Sequence, residues 1–375
     1  MGNLMDYLDW RGDLPFQADG FNEVDSLILT QLIYVDFGGI AEGPESGAAV
    51  SLKEASARFW NTHTEEEILA KVSMTKSAPF VMRRMAETKR FGEIALSRYV
   101  NEISEEEQSQ FSVACMRLPD AGLYVAFCGT DDTIVGWREN FNMGYLAETP
   151  GQRKAVEYLS RVLAQEQEKV RVGGHSKGGN LAVYASVKCE LQLQEKIAAV
   201  YSNDGPGFSR EVIESESYRR ILPKIRTILP ESSIVGLLLE HQGACEVVKS
   251  SQNGVMQHDA LSWEVLGARF IRTAHVAAES VLLDETMKSW IYQLSGDERE
   301  QIVETIFSML EDAGIKTVDD FYGSPWKMMQ ELLKARSRLS GESQKLLSRA
   351  LKLLWNEGNR ALRRAVKERK QGSEG

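Results

Sequence analysis

Val170-Arg171-Val172-Gly173-Gly174-His175-Ser176-Lys177-Gly178-Gly179-Asn180-Leu181-Ala182-Val183-Tyr184 is the stretch that decides the fold. Val170 to Gly174 reads as a short strand, and Asn180 to Cys189 as a helix with small residues at its start. Between them lies Gly174-His175-Ser176-Lys177-Gly178, a G-x-S-x-G pentapeptide. The pentapeptide alone is a weak signal. The strand before it and the helix after it supply the context a nucleophile elbow requires. Such a turn holds its serine in a strained conformation, and the glycines around it let backbone segments approach closely. The helix N-terminus favours negative charge developing beside it.

The same alternation continues outward. Phe111 to Arg117 and Leu123 to Cys128 are short apolar runs joined through Pro119-Asp120-Ala121-Gly122, a hairpin signal. Helical patterns follow at Trp137 to Leu146 and Gln152 to Glu166. Ile197 to Ser202, Ile225 to Leu229 and Cys245 to Val248 read as further strands. Strands alternating with helices imply a mostly parallel sheet with crossover helices. Nearer the N-terminus, an apolar segment from Val24 to Phe37 ends at Gly38-Gly39, and Ala41 to Ala49 has loop composition. Leu52 to Ser104 is rich in Ala, Glu, Lys, Arg and Met, which predicts helices. Residues 41–110 therefore read as a helical insertion, a candidate lid. From Leu266 onward the pattern is helical. Ser295-Gly296-Asp297-Glu298 predicts a capping box before the stripe Ile302, Val303, Ile306, Phe307 and Leu310. Ser324-Pro325 predicts a second helix start, and Leu346, Leu347, Ala350, Leu351 and Leu354 a third packing face. The expectation is an α/β-hydrolase fold over residues 1–265 and a helical region over 266–375.

The bulk numbers narrow the function. Of 375 residues, 43% are hydrophobic and 26% charged, as in a globular protein with a full core. A net charge of −10 argues against a nucleic-acid partner, because phosphate attraction drives that binding. Cys115, Cys128, Cys189 and Cys245 fit neither a zinc site nor a CxxC redox pair, and the first three read as small buried hydrophobes. The acidic start Met1 to Asp9 lacks the pattern of a signal peptide. No apolar run approaches the roughly 20 residues that span a bilayer. A cytoplasmic protein is expected.

A serine nucleophile needs a base, and the base needs an orienting acid, in this fold in the chain order Ser, acid, His. Three histidines follow Ser176. His275 sits in a stretch read as helical and structural. His241 follows the apolar run Val235 to Leu239. His258 lies in a loop after the last strand, where the base belongs, and leads. For the acid, Asp204 opens the turn Asp204-Gly205-Pro206-Gly207 after one strand, and Glu231 follows the next. Asp204 leads, although a turn alone explains an Asp there, and the acid in this fold more commonly follows the later strand. Phe127-Cys128-Gly129-Thr130 ends a strand, and the amides of Thr130 and Lys177 would form the oxyanion hole. No metal or organic cofactor is required.

At these residues the chain resembles a known family. Phe127-Cys128-Gly129-Thr130 with Trp137 and Asn140 resembles the F-R-G-T/S…W…N segment of class 3 (fungal-type) lipases. Gly174 to Ala182 is similar to their G-H-S-L-G-G-A-L-A elbow. A bacterial lipase-like family of unassigned function is a closer match, through G-H-S-K-G-G-N at Gly174, D-G-P-G-F at Asp204 and Q-H-D at Gln257. The resemblance covers roughly residues 1–265 and implies an ester or lipid substrate. Cys128 stands where the lipases have Arg, Lys177 where they have Leu, and Glu231 where they place the triad acid.

The expected activity is therefore hydrolysis of a carboxylic ester by Ser176, His258 and Asp204. A thioesterase or acyltransferase would use the same residues, and an inactive hydrolase fold serving as a binding module is the alternative from another class. The Lys177 side chain either reaches the rim, where it would attract an anionic substrate, or pairs with a nearby acid or solvent. Arg360, Arg363, Arg364, Lys367, Arg369 and Lys370 make the tail basic, which suits either a solvated helix end or a weak contact with a membrane surface.

Overall fold

The computed structural model of the protein describes residues 1–70, 73, 75–317 and 334–372, and beyond residue 361 the backbone alone. Ser324-Pro325 and the side chains of Arg363, Arg364, Lys367, Arg369 and Lys370 lie outside the described residues.

Among the described residues, eight strands form one sheet in chain order: β1 (Ala49–Ser51), β2 (Ala95–Ser104), β3 (Ser109–Leu118), β4 (Gly122–Phe127), β5 (Val170–His175), β6 (Ile197–Asn203), β7 (Ile225–Pro230) and β8 (Cys245–Val248). Pairings from β1 to β4 are antiparallel, and those from β4 to β8 are parallel. The pleat sends alternate side chains to opposite faces. Val113, Cys115, Val125 and Phe127 join one buried cluster, whereas Ala114, Met116, Tyr124, Ala126 and Cys128 join the other.

Helices cover both faces. On the second face lie α1 (Leu4–Arg11), α2 (Glu23–Leu32), α3 (Leu52–Trp60), α4 (Glu65–Ala70) and α5 (Ala78–Ala86), burying Leu4, Leu27, Leu52, Phe59, Ile68 and Met82 among others. Asn3 with Asp6, and Asn22 with Asp25, form capping boxes that start α1 and α2. After β4 come α6 (Ile134–Asn142) and α7 (Pro150–Gln165), and after β5 comes α8 (Lys177–Lys188). Every residue of α8 from Lys177 to Val187 is buried, so its Gly, Ala and Val positions let it lie close on the sheet. The short helices α9 (Leu191–Gln194), α10 (Arg210–Ile213) and α11 (Glu216–Ile221) follow.

Two sequence expectations need correction. Within 52–104, read as helical, Ala95–Ser104 is strand β2, paired with β3 and carrying a bulge at Arg98, where φ is 53°. The helix-rich composition of the whole stretch masks a local change of period from 3.6 to 2. After Val265 the chain first makes a small hairpin, β9 (Val265–Leu266) with β10 (Arg269–Phe270), before α12 (Ala278–Tyr292) and α13 (Gly296–Asp312). Ser295 and Glu298 form the expected capping box of α13. Ile302 packs with Leu346, Leu347 and Ala350 of the C-terminal helix Gly341–Gly372, whereas Leu351 of the same stripe is exposed. Cys115, Cys128 and Cys189 are buried free thiols. Among the described residues, no helix is long and apolar enough to cross a membrane.

Candidate active site

The registers of the parallel strands set their carboxyl ends level. Phe127 lies opposite Gly174, Gly174 opposite Ser202, and Asn203 opposite Ile228. The residues that follow, Thr130, Ser176, Asp204 and Glu231, thus leave the sheet along one edge, the edge where open α/β sheets place their ligands.

Ser176 links β5 to α8 with φ 57° and ψ −132°, a strained conformation for a residue with a Cβ. Its amide donates to Asn203 O at 2.9 Å, and the residue is 7% exposed. A methyl group on Gly174 would lie 2.0 Å from the Gly178 carbonyl carbon, and one on Gly178 would lie 2.2 Å from Phe127 O. Both positions must be glycine for the elbow to close against the end of β4.

Asp204 follows β6, also with positive φ (50°), and its amide donates to Ile228 O at 2.8 Å. Its buried carboxylate is fully engaged. Oδ2 lies 2.6 Å from His258 Nδ1, while Oδ1 accepts from Ser233 Oγ at 2.5 Å and from the Gly236 amide at 3.1 Å. Burial alone would raise this carboxyl, but the bonds from His258 and Ser233 outweigh it and hold it below the usual carboxylate range. His258 ends a short 3-10 helix, Gly254–His258, and is half-buried. The preceding Gln257 pins that loop to the end of β7, accepting from the Ser232 amide at 2.7 Å, and its carbonyl accepts from Trp263 Nε1 at 2.9 Å.

Among the described residues, no hydrogen bond joins the alternatives to this pair. Glu231 is held through its backbone: its amide donates to Val248 O, and its carbonyl accepts from Ala277. His241 is half-buried, burial pushes its pKa down, and its Nε2 has no partner among the described residues. His275 is exposed in a bend before α12 rather than in a helix, because its segment links β10 to α12.

Thr130 lies just past β4, half-buried, and its Oγ1 accepts from Asn140 Nδ2 at 2.6 Å. Lys177 departs from the rim expectation. Its side chain is buried, with Nζ 2.8 Å from Glu139 Oε2, 2.6 Å from Gln110 Oε1 and 2.5 Å from Gln110 O. Glu139 in turn accepts from the Gln110 amide at 3.1 Å and the Gly151 amide at 2.8 Å. A buried ammonium needs a paired acid, and α6 supplies it. The pairing alternative holds, and attraction of an anionic substrate by this side chain does not. Sequence reading passes over Glu139, Gln110, Ser233, Tyr34 and His175. Each pairs with groups distant in the chain, and no local pattern marks its role; His175 lies inside the pentapeptide, but nothing there marks its bonds to Tyr34 and the His258 carbonyl.

These features define an α/β protein whose sheet edge carries a serine at a strained strand-to-helix turn and, on the adjoining strand end, a bonded His–Asp pair. A family model described as Mbeg1-like matches residues 85–308, more than half of the chain. The chain belongs to the Mbeg1-like family, a lipase-like family. No curated protein matches it.

Proposed function

We propose that the protein is a serine hydrolase that cleaves a carboxylic ester through an acyl-enzyme. The observation that carries this reading is the 2.6 Å bond between His258 and Asp204 at the same sheet edge as the strained Ser176. With Asp204 ionised, His258 presents Nδ1–H to it and leaves Nε2 unprotonated to act as base. Ser176 Oγ attacks the ester carbonyl, and His258 Nε2 takes its proton. The amides of Thr130 and Lys177 stabilise the oxyanion. Because Thr130 Oγ1 accepts from Asn140, its own proton is left to serve as a further donor. His258 then protonates the leaving alcohol, and an activated water releases the acid from Ser176. Membership in a lipase-like family and the resemblance to class 3 lipases support the same reading. A thioester substrate, or an acceptor other than water, would use the same residues.

The test is Ser176→Ala assayed on p-nitrophenyl butyrate. Activity should vanish while the thermal midpoint stays within about a degree, since one small hydroxyl at the sheet edge carries little stability. Full activity in the variant overturns the proposal.

A further inference from the structure

The mechanism above makes no use of Tyr34 and His175, yet these residues touch both of its halves. Tyr34 lies in the turn after α2, half-buried, with its amide donating to Gln31 O at 3.3 Å. Its hydroxyl is 3.1 Å from Nδ1 of His175. The other ring nitrogen, Nε2, is 2.9 Å from the backbone carbonyl oxygen of His258. The two imidazole rings are 4.7 Å apart.

The chemistry of these groups fixes the direction of each bond. A carbonyl oxygen only accepts, so Nε2 of His175 carries a proton. Burial, reinforced by the neighbouring His258, pushes the His175 pKa down to about 3, so the ring is neutral. A neutral imidazole has a single N–H, which leaves Nδ1 as an acceptor. Tyr34 O–H therefore donates to it. The phenol also abuts the strand end that leads to Thr130. A methyl group on Gly129 would sit 2.0 Å from the Tyr34 oxygen and 2.8 Å from the His175 carbonyl oxygen, so this position admits only glycine.

We propose that Tyr34 and His175 form a one-way hydrogen-bond relay that fixes the His258 loop against the strand end carrying Gly129 and Thr130. The relay sets the base and the oxyanion donors in register with Ser176. Both are positioning residues, since neither touches the reacting atoms. Its kinetic consequence rests on the serine-hydrolase reading, whereas its bond pattern does not. Loss of the Tyr34 hydroxyl frees Nδ1 to take the proton. The other tautomer then has nothing to donate to the His258 carbonyl, and the base loop loosens.

Two measurements on the full chain test this. Histidine ¹⁵N NMR reads the tautomer, and the rate at which a fluorophosphonate labels Ser176 reads the geometry. The wild-type ring of His175 should be the Nε2–H tautomer and should not titrate between about pH 5 and 8. Tyr34→Phe should shift its Nδ1 resonance and slow labelling about tenfold, the scale of a small misplacement of catalytic groups, with the thermal midpoint nearly unchanged. His175→Gln retains an amide donor for the His258 carbonyl, so it should label faster than His175→Phe. An Nδ1–H tautomer, titration within that range, or labelling of Tyr34→Phe within about twofold of wild type overturns the relay. If the wild-type protein is not labelled at all, the serine-hydrolase reading fails, and the NMR result alone decides whether the relay exists.

Discussion

Breaking the buried Lys177–Glu139 pair should destabilise the fold far more than removing both charges together. The pair has 0% side-chain exposure on both sides and a separation of 2.8 Å. At an effective dielectric of 20, that separation corresponds to an attraction of about 6 kcal/mol. Most of it offsets the desolvation of the two ions, so the pair is worth little net. Lys177→Met removes the attraction and leaves the Glu139 carboxylate buried with only the Gln110 and Gly151 amides. Glu139→Gln likewise leaves the ammonium buried without a counter-charge, with only neutral acceptors such as those of Gln110. Each single change should cost about 3–5 kcal/mol in urea unfolding, as for other buried pairs broken on one side. The double variant buries no ion and should lose much less than the sum, giving an interaction energy of at least about 2 kcal/mol. Because the pair ties β3, α6, α7 and α8 together beside Thr130, the single variants should also lose ester turnover. A cost below about 1 kcal/mol for Lys177→Met, or additive losses in the double variant, would show that the two groups are not coupled as a buried ion pair.

Asp204→Asn should lower kcat by about 10⁴, as a wrong-tautomer histidine does, while Glu231→Gln should stay near wild type; the reverse pattern would reassign the acid. His175 links stability to pH. Its folded pKa, about 3, lies below the unfolded value of 6.5, so the unfolded chain binds more protons between them. Its contribution is therefore complete above about pH 6.5 and is lost as pH falls toward 3, at up to about 1.4 kcal/mol per unit. Urea unfolding at several pH values should show that slope in wild type and a shallower one in His175→Gln. The fully buried Arg90–Asp25 pair, also bonded by Tyr7, predicts a loss of about 3–5 kcal/mol for Arg90→Met; an unchanged unfolding midpoint would contradict it.

Local patterns carry a large part of this fold. β4, β5, β6 and β7 are short apolar runs bounded by turn residues, so their ends, and with them Thr130, Ser176, Asp204 and Glu231, are legible in the amino-acid sequence alone. The Ser295 capping box is legible for the same reason, since both partners lie within one helical turn. β2 is not, because Ala95–Ser104 has polar residues and a bulge that blur its alternation. The environment of Lys177 is not either. Whether a lysine beside the elbow faces solvent or the interior depends on Glu139, 38 positions away, and Gln110, 67 away. Tyr34 is farther still from His175, at 141 positions. Nothing in its own segment, which reads only as an apolar run ending at Gly38-Gly39, distinguishes its hydroxyl from that of any core tyrosine. Long-range pairing of polar side chains is set by tertiary packing, which sequence period does not encode.

If Ser176 is an activated nucleophile, a fluorophosphonate should label it covalently. Folded protein should acquire one adduct, mapped by peptide mass spectrometry to Ser176, and Ser176→Ala and heat-unfolded protein should acquire none. Folded wild-type protein that stays unlabelled, or that is labelled equally well in Ser176→Ala, would contradict the account and leave a hydrolase-like fold used for binding.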